Sequence, residues 1–225
     1  GRVDYLNPLG WNWAYVGALE RLAGIEVPER AEFIRVITGE LNRISSHLVW
    51  FGAYILDLGA FTPIMYAFED REKILDLLQP ISGSRLTYSF FRPGGVATDV
   101  TDAFLMDTLT FVKYMRDRLH MYRDLVTDNI IFRKRCENVG VLSLEMCQRY
   151  GATGPVIRGS NRPYDIRKTE PYSIYDRFDY RIPVDEKGDA MGRYRVRMAE
   201  MAESLNIIEQ AVNQIPEGDH IVKKA

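Results

Sequence analysis

The chain has 225 residues, of which 46% are hydrophobic and 27% are charged. This composition is typical of a folded globular protein and excludes a disordered or fibrous chain. The formal net charge is −2, whereas a domain that binds nucleic acid is normally basic, so we expect no nucleic-acid partner.

Two helices are predicted in the first quarter of the chain. Apolar residues recur every three and four positions over residues 10–23, and the pattern ends at Gly24, a residue that tolerates left-handed backbone angles. A longer apolar stripe begins after Pro28, which suits the first turn of a helix, and reaches about Leu58. The length of this second pattern predicts a central helix of a bundle.

The longest apolar stretch, residues 48–68, is not predicted to cross a membrane. Asp57 interrupts it, and Gly59 and Pro63 break its helical pattern. A membrane-spanning helix needs about 20 apolar residues and tolerates a central carboxylate poorly. We therefore expect a buried helix followed by a turn.

The rest of the chain alternates helices with loops. Further helices are predicted over residues 69–78, 99–128, 130–138, 143–150 and 190–215. Residues 82–98 and 151–188 are rich in loops, and the second stretch contains strand-like alternation at 178–184.

These patterns predict a mainly α fold, a long-helix bundle with a small β-containing loop region. We expect the bundle over residues 1–150, the loop and short-strand region over 151–189, and a C-terminal helix of the same domain over 190–225.

Common catalytic and metal-binding motifs are missing from the sequence. No glycine-rich phosphate loop joins a strand to a helix, and no Ser-x-Gly elbow indicates a hydrolase. His47, His120 and His220 form no metal-ligand pair at helical spacing, and Cys136 and Cys147 match no common zinc or iron–sulfur spacing. We expect two reduced, mostly buried thiols, a structural role for His47, and no metal bound by this chain.

Five segments, in order along the chain, carry a resemblance to a known family. They are Arg2-Val3-Asp4-Tyr5, residues 33–47 around Gly39-Glu40-Leu41-Asn42-Arg43, Leu56-Asp57-Leu58-Gly59-Ala60 with Thr62-Pro63, Ser82-Gly83-Ser84-Arg85 with Arg92-Pro93-Gly94-Gly95, and residues 158–176. Together they resemble the quinone-site (D, or 49-kDa) subunit family of respiratory complex I, a relative of the nickel–iron hydrogenase large subunit. The resemblance implies a hydrogenase-like fold and a place beside the quinone in a proton-pumping NADH:quinone oxidoreductase.

The nickel–iron ligands of the hydrogenases have no counterpart at the start of this chain. In an alignment on Arg2, the two hydrogenase cysteines fall on Asp4 and Asn7. A carboxylate and an amide cannot replace a bridging thiolate pair for soft metals. The resemblance implies that the vacated metal pocket receives a quinone headgroup instead.

Tyr5 and Asp57 match the family's quinone-site residues. The resemblance implies that Tyr5 donates a hydrogen bond to the quinone carbonyl, a task that suits a phenol because it stays protonated at neutral pH. It also implies that Asp57 pairs with a quinone-binding histidine, which the family carries in a hairpin before the position of Arg2. Without the family context, Tyr5 reads as a half-buried structural tyrosine, and Asp57 reads equally well as a helix-end residue.

Arg2, Arg85 and Arg92 match family arginines near the terminal tetranuclear iron–sulfur (4Fe–4S) cluster of a neighbouring subunit. Nearby cations and hydrogen bonds shift the potential of such a cluster. Taken singly, each arginine is also typical of a surface salt bridge. Thr87 departs from the family, since many relatives have a histidine there that is linked to pH-dependent reduction of the cluster. Threonine does not titrate near neutral pH, so we expect a weaker pH dependence.

The resemblance also implies partners and a location. The expected partners are the small iron–sulfur subunit, a C or 30-kDa-type subunit and the membrane-embedded subunit of the quinone channel. The chain would then lie peripherally on the cytoplasmic side of the cell membrane. Gly1 directly precedes a motif, so we expect a fragment of a longer chain.

Three other functions fit the same architecture. One is the equivalent subunit of a membrane oxidoreductase that uses ferredoxin or reduced deazaflavin as the electron donor. The second is a membrane-bound hydrogenase subunit, against which Asp4 and Asn7 count. The third is a non-catalytic scaffold.

Overall fold

The computed structural model describes residues 2–223, and helices dominate this part of the chain. The α-helices are α1 (Pro8–Ala23), α2 (Glu29–Asp57), α3 (Thr62–Ser82), α4 (Asp102–Tyr122), α5 (Ile130–Cys136), α6 (Leu144–Arg149), α7 (Gly154–Arg158), α8 (Ile166–Thr169) and α9 (Ala190–Gln214). A π-helical turn at Arg123–Thr127 continues α4, and a 3-10 turn covers Tyr175–Arg177. The predicted mainly α fold is confirmed.

The four longest helices form the bundle. α2, with 29 residues, packs against α3 and α9, and α4 packs against both of these helices. The apolar stripe predicted from the sequence supplies the buried face of α2, where Ile34, Ile37, Leu41 and Ile44 have no exposed surface. Burial of this stripe is the main source of stability for so long a helix, since helical propensity alone is weak.

The local signals read from the sequence hold at most helix ends. Gly24 has a φ of 65° directly after α1, as expected for a residue without a Cβ atom. Thr101 caps α4 by accepting a hydrogen bond from the backbone N–H of Phe104, and Ser143 caps α6 in the same way.

α3 is longer than predicted. It begins at Thr62 instead of residue 69, and it continues through Pro80 to Ser82. Pro80 lies in the last turn, where the loss of one backbone hydrogen bond is tolerated, and the next residue, Ile81, packs into the core. Gly83 then ends the helix with a φ of 71°.

The strand prediction at residues 178–184 is wrong. The only strands within residues 2–223 are β1 (Phe91–Arg92) and β2 (Gly95–Val96), which form a hairpin. At 178–184, backbone N–H groups donate to side chains of α9: that of Asp179 to Gln210 at 2.9 Å and that of Arg181 to Glu203 at 3.0 Å. These side chains take the place of a neighbouring strand.

The two cysteines are free and buried, as predicted. The apolar stretch at 48–68 also divides as predicted, into the end of α2, a turn and the start of α3. None of the helices within residues 2–223 combines the length and the apolar character needed to cross a membrane.

Candidate functional site

Tyr5 lies on a short turn that leads into α1. The carboxylate of Asp4 accepts hydrogen bonds from the backbone N–H groups of Leu6, at 2.8 Å, and Asn7, at 3.3 Å. These two bonds close the backbone around Tyr5, whose side chain is 66% exposed. The phenol therefore faces outward from a turn that is locally ordered.

Asn7 connects this turn to the helices. Its side-chain oxygen accepts from the backbone N–H of Gly10 at 3.2 Å and so caps α1. The same oxygen accepts from the side-chain amide of Asn42, on α2, at 2.7 Å. The polar residues at the two former thiolate positions, Asp4 and Asn7, thus both order the start of α1.

An open cleft of about 1310 Å³ borders this turn. Asn7 and Gly10 line one part of it, and the lining continues along α1 to Leu22. On the opposite side lie residues of the 166–175 segment, including Tyr172, whose ring packs edge-on against Trp13. Tyr5 precedes the first lining residue by two positions, so its exposed phenol lies at one end of the cleft.

Asp57 lies away from this turn. It is the last residue of α2 and is exposed, so the apolar stretch around it does not bury its carboxylate. Asn42, which holds the start of α1, precedes Asp57 by fifteen residues, or about 22 Å of helical rise. The structure therefore does not bring Tyr5 and Asp57 together within residues 2–223.

The three arginines have different surroundings. Arg85 forms ion pairs with Glu72 and Asp76 on α3, the surface arrangement that its position without family context suggested. Arg92, on β1, is exposed, and its side chain makes one long hydrogen bond, of 3.4 Å, to Ser89. Arg2 is exposed before the Tyr5 turn.

β1 and the Tyr5 turn are attached to the same helix. The side chain of Asn12, on α1, donates to the carbonyl of Phe91 at 3.2 Å and accepts from its N–H at 2.9 Å. This two-bond contact fixes the strand that carries Arg92 against α1. Of the predicted site residues, the structure thus places Tyr5 and Arg92 on a common support.

A buried ion pair holds the hairpin from below. Arg35 is 1% exposed and binds both carboxylate oxygens of Glu20, at 2.6 and 3.0 Å. The same guanidinium donates to the backbone carbonyls of Arg92 and Gly95, each at 2.9 Å. Arg35 therefore ties α1, α2 and the hairpin into one unit.

A second buried centre surrounds Glu40, in the middle of α2. Its carboxylate is fully buried and contacts Arg167 at 3.0 Å and Arg43 at 3.0 Å, and it accepts from Tyr175 and Ser204, each at 2.6 Å. Burial alone would raise the pKa of Glu40, but the two arginines and the two hydroxyls outweigh it and lower that pKa to about 2. The carboxylate stays ionised and fixes the 166–175 side of the cleft.

Sequence reasoning missed both buried centres. Arg35 and Glu40 belong to a segment that carried the family resemblance, but their partners lie up to 127 positions away. The one available signal was a charged residue inside the apolar stripe of α2, since such residues are rarely buried unless they are paired. His47, on the same helix, follows the same rule: it contacts Glu200 at 2.9 Å, which confirms its predicted structural role.

Comparison with known proteins decides the family. Residues 57–225, more than half of the chain, match the model of the family described as respiratory-chain NADH dehydrogenase, 49 kDa subunit. The chain belongs to this family. The resemblance found in the five sequence segments is therefore confirmed, and the first 56 residues are covered by individual relatives.

Curated relatives in this family, all D subunits of NADH-quinone oxidoreductases, are similar over nearly the whole chain. The second such protein of Opitutus terrae is 58% identical over 99% of this chain and 56% of its own length. The relative from Desulfotalea psychrophila is 57% identical over 99% of this chain and 60% of its own length. The relative from Geobacillus kaustophilus is 50% identical over 99% and 61%. The chain thus spans little more than half the length of these relatives.

Proposed function

We propose that this chain forms the quinone-headgroup side of the reduction site in a proton-pumping NADH:quinone oxidoreductase. Membership of the 49 kDa subunit family supports the class of enzyme. The observation that carries the site is the exposed phenol of Tyr5, which stands on an ordered turn at the end of an open cleft. An exposed hydroxyl on a fixed backbone can donate to a ligand without first losing a protein partner.

In this proposal, Tyr5 donates its hydroxyl to a carbonyl oxygen of the quinone. Reduction of a quinone to a quinol consumes two electrons and two protons. The electrons come from the 4Fe–4S cluster of the neighbouring small subunit. Tyr5 stabilises negative charge as it develops on the oxygen and can transfer its proton there, provided that a relay returns a proton to the phenolate.

Asp57 has a second role in the proposal. Its carboxylate makes no hydrogen bond or ion pair with other residues between 2 and 223, and it is exposed at the end of α2. We propose that it binds the quinone-site histidine that the family carries before the position of Arg2. A carboxylate in contact with histidine favours the protonated ring, which is a proton source for the second quinone oxygen.

The arginines are proposed to differ in their effect on the cluster. Arg92 has no carboxylate partner within residues 2–223, so its charge acts on its surroundings undiminished. The charge of Arg85 is offset by Glu72 and Asp76. Arg92 therefore stabilises the reduced cluster more than Arg85 does, with Arg2 as a third cation near the same turn.

The proposed partners follow from the same assignment. They are the small iron–sulfur subunit, the C or 30-kDa-type subunit and the membrane-embedded subunit of the quinone channel. Their contacts place the chain peripherally on the cytoplasmic side of the membrane.

Replacement of Tyr5 by phenylalanine tests the proposal, because it keeps the ring and deletes only the hydroxyl. We expect Tyr5→Phe to lower kcat/KM for quinone by at least about tenfold in the assembled complex. Electron transfer from NADH to an artificial acceptor that bypasses the quinone should not change. Tyr150→Phe is the matched control, since Tyr150 is 77% exposed at the end of α6.

The alternative outcome is equally clear. If Tyr5→Phe leaves both kcat and KM for quinone unchanged, the phenol is not the hydrogen-bond donor and the proposed site is wrong. If Tyr150→Phe lowers activity as much as Tyr5→Phe does, the loss is not specific to the site.

A further inference from the structure

The contact between Asn42 and Asn7 joins the Tyr5 turn to the bundle. Asn42 is 2% exposed, in the buried face of α2, and its amide donates to the side-chain oxygen of Asn7 at 2.7 Å. We infer that Asn42 is a positioning residue for quinone reduction, acting through Asn7 on the orientation of Tyr5. This inference rests on the proposed function of Tyr5.

The geometry around Asn7 is more specific than a helix cap requires. A cap needs one bond, and the bond to the N–H of Gly10 supplies it. The additional donor comes from another helix, 35 positions away. Because one oxygen accepts both bonds, the carboxamide of Asn7 has little freedom to rotate.

Two glycines make room for this arrangement. A Cβ atom at position 10 would lie 2.5 Å from the side-chain nitrogen of Asn7, so the carboxamide occupies the space that a larger residue would fill. A Cβ atom at position 39 would lie 2.8 Å from the ring of Trp13. α1 therefore rests on α2 at two close contacts, Asn7 with Asn42 and Trp13 with Gly39.

The position of Asn7 is transmitted to Tyr5 over two residues. The carboxylate of Asp4 binds the N–H groups of Leu6 and Asn7, so the backbone from 4 to 7 forms one hydrogen-bonded turn. Asn42 fixes the far end of that turn. Without this donor, the turn would be attached only to the end of α1, and the phenol would sample more orientations before it met a quinone.

A double-mutant cycle in the assembled oxidoreductase tests the inference. We expect Asn42→Ala to lower kcat/KM for quinone about fivefold to tenfold, which corresponds to the loss of one buried hydrogen bond. In a Tyr5→Phe background the same change should have almost no effect, because the hydroxyl that Asn42 positions is gone. Asn7→Asp should retain near wild-type activity, since a carboxylate accepts from both Gly10 and Asn42.

A second variant covers the case in which Asn42→Ala prevents assembly, judged by the amount of intact complex on a native gel. Gly10→Ala leaves Asn42 in place and displaces the carboxamide of Asn7. Gly17→Ala is its control on the same helix, because a Cβ atom there meets nothing within 4 Å. We expect about a fivefold loss in kcat/KM for Gly10→Ala and none for Gly17→Ala.

The outcomes separate this inference from the proposal beneath it. If Tyr5→Phe is neutral, the proposed function fails, and the role of Asn42 fails with it. If Tyr5→Phe lowers activity but Asn42→Ala and Gly10→Ala do not, only the inference is overturned. Equal losses from Asn42→Ala with and without the Tyr5 hydroxyl would mark a general structural role and would also overturn it.

Discussion

Arg167 donates to the carboxylate of Glu40 at 3.0 Å and so joins α8 to the middle of α2, although 127 positions separate the two residues. Arg167 is 5% exposed and Glu40 is not exposed at all. Asp165 binds the same guanidinium at 2.7 Å, so one arginine is shared by two carboxylates. This shared pair fixes the segment that forms one side of the cleft.

The first prediction concerns the stability that this pair provides. Glu40→Gln removes the charge and leaves Arg167 and Arg43 short of a partner in the interior. Breaking one side of a buried ion pair typically destabilises a protein by about 3 kcal/mol or more. We expect a decrease of that size in the free energy of unfolding, measured by urea denaturation followed by circular dichroism.

Glu29→Gln is the matched control, on the same helix. Glu29 also pairs with an arginine, Arg177, but both side chains are about half exposed. Exposed ion pairs contribute less than about 1 kcal/mol. Similar losses in the two variants would contradict the view that burial makes the Glu40 pair important.

The second prediction is a pH dependence of the same contribution. The pKa of Glu40 is lowered from 4.5 to about 2 in the folded chain. A lowered pKa means that ionised Glu40 stabilises the fold fully above the ordinary value and that this contribution is lost as the pH falls towards about 2. The difference in unfolding free energy between wild type and Glu40→Gln should be constant at neutral pH and shrink below about pH 4.5.

Other carboxylates lose stabilising charge in the same acid range, including Asp165 and Glu200, whose pKa values are also lowered. The comparison between wild type and variant removes their shared contribution. A difference that stays constant down to pH 2 would show that the ionisation of Glu40 is not what stabilises the fold.

Local patterns in the sequence predicted the helices well and the long-range contacts poorly. The apolar stripe of α2 and the glycine after α1 are signals that span a few residues, so they can be read without knowledge of the fold. At 178–184 the alternation was present, but the acceptors for its N–H groups are Gln210 and Glu203 on a later helix. No local pattern distinguishes such a segment from a strand.

The candidate site divides in the same way. Tyr5 and Arg92 were identified through motifs, and the structure connects both to α1. Asn42 was part of a motif, but its role depends on a contact with a residue 35 positions earlier. The exposure of Asp57 was not predicted, since its apolar neighbours in sequence do not surround it in the fold.

The third prediction concerns the hairpin that carries Arg92. Gly95 has a φ of 154°, and a Cβ atom there would lie 2.2 Å from the carbonyl oxygen of His220. Gly95→Ala should therefore separate β2 from residues 220–222, which bind the hairpin through Val96 and Val222. We expect a destabilisation of about 2 kcal/mol in thermal or urea unfolding.

Gly17→Ala serves as the comparison, because nothing lies within 4 Å of its added Cβ atom and its backbone is helical. It should stabilise the chain by about 0.5 kcal/mol. If Gly95→Ala is as stable as Gly17→Ala, the pairing of the hairpin with residues 220–222 does not contribute to the fold.

The fourth prediction concerns Thr87, the position where this chain departs from many relatives. Because threonine does not titrate near neutral pH, we expect the midpoint potential of the neighbouring 4Fe–4S cluster to vary little with pH in the wild-type complex. Thr87→His should introduce a slope that approaches about 59 mV per pH unit on the alkaline side of the histidine pKa in the oxidised state. A redox titration of the complex at several pH values, followed by electron paramagnetic resonance, measures this slope.

The backbone at position 87 makes this substitution structurally reasonable. Thr87 has a φ of 54°, a region in which β-branched residues are rare and in which histidine and asparagine are several-fold enriched among non-glycine residues. Thr87→Asn is therefore the appropriate control, since it suits the same backbone and does not titrate. A full slope in the wild type, or equal slopes in the His and Asn variants, would show that the residue at this position does not control the coupling. A slope that appears only with histidine would mean that one side chain in this chain sets how tightly a proton follows the electron onto the cluster.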